Sequence, residues 1–149
     1  MTLIEIFSLW DKDSVIDRTE LGKECIDIPK LHNKYYRIYI NEKMKLIKLE
    51  SDFKQLNALR YDFYSGNIDN VTLQELGWRE EWEKIGRRTI LKTEIPRYLE
   101  SDQVIINHQL KISAQKEKVG LLDSIIKSFI ARGFNLKSAI EWTKFQVGA

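Results

Sequence analysis

The apolar positions of this chain recur mainly at helical spacing. Between Lys30 and Tyr64, one strip is formed by Leu31, Tyr35, Ile38, Leu46, Leu49, Phe53, Leu56 and Tyr64, and from Leu46 onward it keeps the three-four alternation of a helix-packing seam. An uninterrupted helix here would be roughly 50 Å long, more than a domain of this size needs to span itself. A second strip, Tyr36, Ile40, Met44 and Ile47, is confined to the first half, so that half is expected to be covered from two sides. Upstream, Leu3, Ile4, Phe7 and Trp10 predict a short amphipathic helix. Asp17 with Glu20 resembles a capping box that starts a helix near Arg18. Pro29 then either opens the long helix, with Asp27 as its N-cap, or kinks one continuous helix.

After Gly66 the sequence NIDN is turn chemistry, and Thr72 with Glu75 makes another capping box. The helix it opens carries Trp78 and Trp82 one turn apart, flanked by Arg79, Arg87 and Arg88, which reads as a lid packing its tryptophans ahead of a nucleic-acid site. Residues 89–99 are β-branched and contain Pro96, predicting an extended connector. Ser101 or Asp102 caps a further long helix, which Arg132-Gly133 is expected to end, and Asn135 with Ser138 starts a last one. In that long helix Val119, Leu121, Leu122, Ile125, Ile126, Phe129 and Ile130 make an apolar cluster too wide for one packing partner. It is either the protomer's own core or an oligomer contact. The polar first half of the helix favours the contact, with Val119, Leu122, Ile125, Ile126 and Phe129 as oligomerisation residues.

Composition agrees with a helical protein: 149 residues hold two prolines and seven glycines, with 43% hydrophobic and 31% charged residues. The expected organisation is all-α, with an N-terminal helical region (1–66), a short helix and extended connector (67–100) and a C-terminal helical oligomerisation region (101–149). The net charge of +2 hides an asymmetry, because seven acidic and three basic residues precede Pro29, whereas eight basic and three acidic ones lie from Lys30 through Arg60. A basic helix behind an acidic arm points to a polyanionic partner.

Lys30, Lys34, Arg37, Lys45 and Lys48 fall within an arc of about 80° on a straight helix. Arg60 instead interrupts the seam that runs through positions 46, 49, 53, 56, 60 and 63. An unpaired charge there costs several kcal/mol, so its partner is either a carboxylate from another helix or a phosphate supplied in trans. Tyr61, Phe63 and Tyr64 beside it suit base stacking and equally suit ordinary packing.

Other chemistries find no support. The single Cys25 excludes an internal disulfide and a multi-thiolate metal site, and it fits a reducing compartment. His32 and His108 are isolated, so neither a metal nor a catalytic cluster is expected. Neither a phosphate loop, a glycine-rich dinucleotide turn nor a nucleophile elbow is present. No apolar run is long enough to span a bilayer and no leader is visible, so no membrane association is expected. The class expected is a binding protein without cofactor, not an enzyme.

Five stretches resemble the UvsY recombination mediator family of T4-like phages: DSVIDRTELGKE, IPKLHNKYY, RYDFYSG, ILKTEIPRYLESD and FIARGFNLKSAIEWTKFQVG. Their order and spacing cover most of the chain, except the Trp78 to Arg88 region. The resemblance implies a helical protomer that forms a ring-like homo-oligomer through its C-terminal part and binds single-stranded DNA with little sequence preference. It implies partners as well, a UvsX-like phage recombinase and the phage single-stranded DNA-binding protein, in the cytoplasm of the infected host. Aligned on YDFYSG, Arg60 occupies the family's motif arginine, Ala58 stands where its lysine would be and Tyr61 replaces its leucine. Lys54, one turn earlier, is a candidate for the lost cation.

The candidate DNA-binding residues are thus Arg60, Lys54, Lys48, Lys45, Lys34, Arg37, Tyr61 and Tyr64. The expected function is a recombination mediator that helps load the recombinase onto covered single strands. The alternative is a helical scaffold or adaptor whose basic face meets an acidic protein surface.

Overall fold

A computed structural model describes residues 1–86 and 90–148. In chain order its elements are α1 (Leu3–Asp13), α2 (Leu21–Ser65), α3 (Asn70–Glu75), α4 (Arg79–Glu81), a π-helical turn (Trp82–Gly86), α5 (Ile95–Glu100) and α6 (Gln103–Gln146). The fold is all-α. Among the described residues no helix is long and apolar enough to cross a membrane. The chain forms two compact units, Met1–Lys45 with Gln115–Ala149, and Leu46–Ala114. Their boundaries fall inside α2 and α6.

Helix ends follow local chemistry. Thr2 caps α1 in a full capping box with Glu5. Gly66, at φ 82°, ends α2 in the left-handed region, and the Asn67 amide closes the turn on the Asp62 carbonyl at 3.0 Å. Asp69, not Thr72, caps α3, and Gly77 at φ 72° follows that helix closely, so the tryptophans lie beyond it. Asp17 accepts from the amide and hydroxyl of Thr19 in a turn, and α2 begins only at Leu21.

Of the two alternatives open at Pro29, the continuous helix is the one formed, since α2 runs through it; the break expected at Gly133 does not occur, and α6 continues to Gln146. In both cases packing outweighs the local signal: Ile28 and Leu31 flank Pro29 against the first unit's core, and Leu136 beyond Gly133 is buried. The expected extended connector is corrected too, since Ile95–Glu100 is helical with Pro96 in its first turn, where a missing N–H costs nothing.

In the first unit the core joins Ile6 of α1, Tyr35 of α2, and Leu122, Ile125 and Phe129 of α6. Trp10 packs edge-on against Tyr35 and Phe129, with centroids at 5.4 and 5.7 Å. The face of α1 turned inward is Ile6, Leu9 and Trp10, whereas Ile4 and Phe7 are exposed. Leu122, Ile125 and Phe129, expected at an oligomer contact, are therefore private core. Ile126 packs partly against that core, and Val119 is half-buried. The second strip on α2 is also corrected: Tyr36, Ile40, Met44 and Ile47 are all exposed.

In the second unit Phe63 and Tyr64 of α2, Leu73 of α3 and Ile95 of α5 form the core, with Trp78 and Trp82 packed against it. Both tryptophans meet Phe63 edge-on, at 6.0 and 5.6 Å. Their role here is packing. Arg87, Arg88 and Thr89 lie outside the described residues.

Candidate nucleic-acid interface

The seam on α2 carries two polar interruptions, and each has a built partner. Arg60 is 1% exposed. Its Nε donates to Asp102 Oδ2 at 2.6 Å, and its two terminal nitrogens donate to Glu81 at 3.1 and 2.7 Å. The guanidinium also lies over Phe63 and Trp78, 4.3 and 4.8 Å from the ring centroids. Burial works against its charge, but the two carboxylates outweigh burial and raise its pKa further. Of the two partners open from the sequence, the carboxylate occupies the site. Arg60 is thus corrected from an available phosphate contact to a buried ion pair, because its donors are spent on Asp102 and Glu81 and solvent does not reach it.

Tyr64 is corrected in the same way. Its ring is 6% exposed and its hydroxyl donates to Asp102 Oδ2 at 2.7 Å, so no base can stack on it. Burial and this hydrogen bond push its pKa up to about 12. Tyr61 points outward, 38% exposed. In the same unit Lys48 and Lys54 are exposed and have no ion-pair partner among the described residues.

In the first unit the second interruption, Glu42, is buried at 2% exposure and receives Gln115 Nε2 at 2.7 Å and Lys45 Nζ at 3.1 Å. Burial alone would raise its pKa, but the donors hold it below the ordinary carboxylate value. Lys45 is thus tethered although its side chain is 58% exposed. Lys34 is tethered too, with Nζ 2.6 Å from Asp13 Oδ2, the oxygen that also receives the Tyr35 hydroxyl at 2.8 Å. Arg37 is exposed and unpaired among the described residues.

Sequence reasoning missed Arg132, which it read only as a helix terminator. On α6 the buried positions Leu122, Ile125, Phe129, Arg132 and Leu136 keep the same three-four alternation that exposed Arg60 as anomalous. Arg132 is 7% exposed, donates from Nη1 to the Asp13 carbonyl at 2.7 Å and from Nη2 to Glu24 at 3.1 Å. Glu81 was also missed as a partner of Arg60.

Comparison with known proteins supplies the family. The model of the family described as "Recombination, repair and ssDNA binding protein UvsY" matches residues 9–149. No curated protein sequence matches the chain significantly. Among solved structures, three crystal lattices of the bacteriophage T4 recombination mediator protein UvsY are similar. The first is 20% identical, covering 99% of this chain and 98% of that one with a TM-score of 0.81. The second is 19% identical, covering 97% and 99% at 0.81. The third is 19% identical, covering 95% and 98% at 0.78. These likenesses establish the shared fold, and with the match over nearly the whole chain they lead to one statement: this protein belongs to the UvsY family of recombination, repair and single-stranded-DNA-binding proteins.

Proposed function

We propose that the protein is a single-stranded-DNA-binding recombination mediator. In this reading it helps a phage recombinase replace the single-stranded DNA-binding protein on the strand, in the cytoplasm of the infected host, and performs no chemistry of its own. The observation that carries the DNA contact is a series of exposed cations on α2 without an ion-pair partner among the described residues, including Lys30 and Arg37 in the first unit and Lys48 and Lys54 in the second. Tyr61, exposed on the same helix, offers a stacking face. Lys34 and Lys45 contribute charge while tethered to carboxylates.

A few cations per protomer attract a strand only weakly, so useful affinity calls for repetition in a homo-oligomer, in this reading a ring. Support for assembly comes from Tyr36, Ile40 and Met44, which are 47, 40 and 60% exposed at one-turn intervals on α2. A row of this kind differs from the isolated apolar residues normal on a monomer. The surface offered for assembly is therefore on α2 and not the Leu122 cluster.

The test is titration of labelled single- and double-stranded oligonucleotides across a salt series, with solution mass measured on the same sample. Log affinity for single strands should fall linearly with log salt, by roughly 0.7 per phosphate neutralised. A scaffold that binds acidic protein is the second reading, favoured by the Lys34–Asp13 pair, in which the basic helix already accepts a carboxylate of the acidic arm. Equal preference for an acidic peptide over DNA would establish that reading instead.

A further inference from the structure

A cleft of about 680 Å³ opens in the first unit between the end of α1, the first half of α2 and Arg132 of α6. Five cations line it: Lys12, Lys30, Lys34, Arg37 and Arg132. Three carboxylates, Asp13, Glu24 and Asp27, line it as well. Two of these are already committed, Asp13 to Lys34 and Glu24 to Arg132. That leaves Lys12, Lys30 and Arg37, each exposed and without an ion-pair partner among the described residues, opposite Asp27 alone. The cleft therefore has cationic groups to spare.

Arg132 adds an independent sign. It is 7% exposed, and its Nε is buried with no hydrogen-bond acceptor. Folded proteins leave few buried donors unpaired, because each forgoes its hydration without recompense. The buried Nε is out of reach of an anion in the cleft, but its uncompensated N–H adds positive potential beneath a wall that already carries surplus cations. Arginine beside lysines suits a tetrahedral phosphate, whose several oxygens can accept at once from Lys12 on α1 and from Lys30 and Arg37 on α2.

We propose that this cleft is a phosphate-binding site, with Arg132 as its floor and Lys12, Lys30 and Arg37 as its rim. For a DNA backbone phosphate the inference rests on the reading above, whereas for free phosphate it stands without it. The volume admits a strand segment as readily as a single ion, and the two sources are separated by experiment.

The experiment is calorimetric titration of the full-length protein with inorganic phosphate and, separately, with unphosphorylated oligodeoxythymidylate. It compares the parent with Lys30→Gln/Arg37→Gln, which removes two exposed rim cations without an ion-pair partner among the described residues. The control, Lys111→Gln/Lys144→Gln, removes the same charge from exposed positions elsewhere. The rim variant should lose phosphate affinity about ten-fold or more, and the control should stay within about two-fold of the parent. Displacement of bound phosphate by the oligonucleotide assigns the site to the strand; retention of phosphate under saturating oligonucleotide assigns it to the free ion. Equal losses in both variants, or no phosphate binding by the parent, would overturn the proposal. If the rim variant binds oligonucleotide as the parent does and phosphate binding is unaffected, the cleft fails while DNA binding stands. If no oligonucleotide binds but the rim variant still loses phosphate, the cleft stands and the DNA reading fails.

Discussion

Asp102 holds Arg60 with one carboxylate oxygen and the start of α6 with the other. Its Oδ2 accepts from Arg60 Nε at 2.6 Å, and its Oδ1 accepts from the amides of Val104 and Ile105 at 2.8 and 3.2 Å. One side chain thus neutralises a buried cation on α2 and caps a 44-residue helix.

Arg60→Ala should therefore act on stability first. Removing one partner of a buried pair strands the other, at a cost of about 3–5 kcal/mol. The thermal midpoint should drop clearly, with DNA affinity preserved at temperatures where the variant remains folded. Arg60→Lys should restore only part of the loss, because an ammonium cannot reach Asp102 and Glu81 with a planar fork. An unchanged melting curve together with lost DNA binding would show that phosphate reaches Arg60 after all.

Leu122→Ala should cost about 2–5 kcal/mol, the usual range for a buried leucine, since Leu122 is wholly buried in the first unit's core. Ile126→Asp should likewise unfold the protein in place of releasing a helical monomer. Circular dichroism and sedimentation on the same sample decide this: a folded, dissociated Ile126→Asp would return the cluster to an assembly role.

Ile40→Glu/Met44→Glu should leave the melting temperature nearly unchanged, because both side chains are exposed in the protomer. Its solution mass should fall, and DNA affinity should fall with it by roughly a hundredfold, as expected when linked sites become single ones. A parent-like mass would remove this face from assembly.

Alkaline pH should loosen the second unit. Tyr64 titrates at about 12 in the folded protein, against an ordinary value of 10, because of its burial and its hydrogen bond to Asp102. The folded state thus holds this proton more tightly than the unfolded chain. The stabilisation is complete below pH 10 and is lost as pH rises from about 10 to 12, a change on the order of 2 kcal/mol. Tyr64→Phe should flatten that part of a denaturant-midpoint profile against pH. A parent-like slope in the variant would mean that another group governs it.

The helical class, the α2 seam and the cap at Asp102 were legible because each depends on neighbours three or four positions apart. The partners of Arg60 were not, since Glu81 and Asp102 lie 21 and 42 residues away and periodicity says nothing about which helix comes alongside. Pro29 left two outcomes open and Gly133 misled for a related reason: they carry a real local cost, offset by burial of Ile28, Leu31 and Leu136, which only the folded chain displays. The exposure of Lys48 and Lys54 could be read from their position off the seam. The burial of Arg132 could have been read too, had the wide apolar cluster been resolved into a seam and a flank.

Pro29 has a consequence for the cleft. It has no N–H to give the Cys25 carbonyl, so α2 lacks one rung there. Glu24 and Asp27 stand before the gap, and Lys30, Lys34 and Arg37 stand after it. The two turns from Leu21 to Ile28 should therefore exchange their amides ahead of the turns that follow Pro29. Glu24 and its pair with Arg132 lie in that stretch, so opening it would free Arg132 of one carboxylate while Lys30, Lys34 and Arg37 keep their helical spacing.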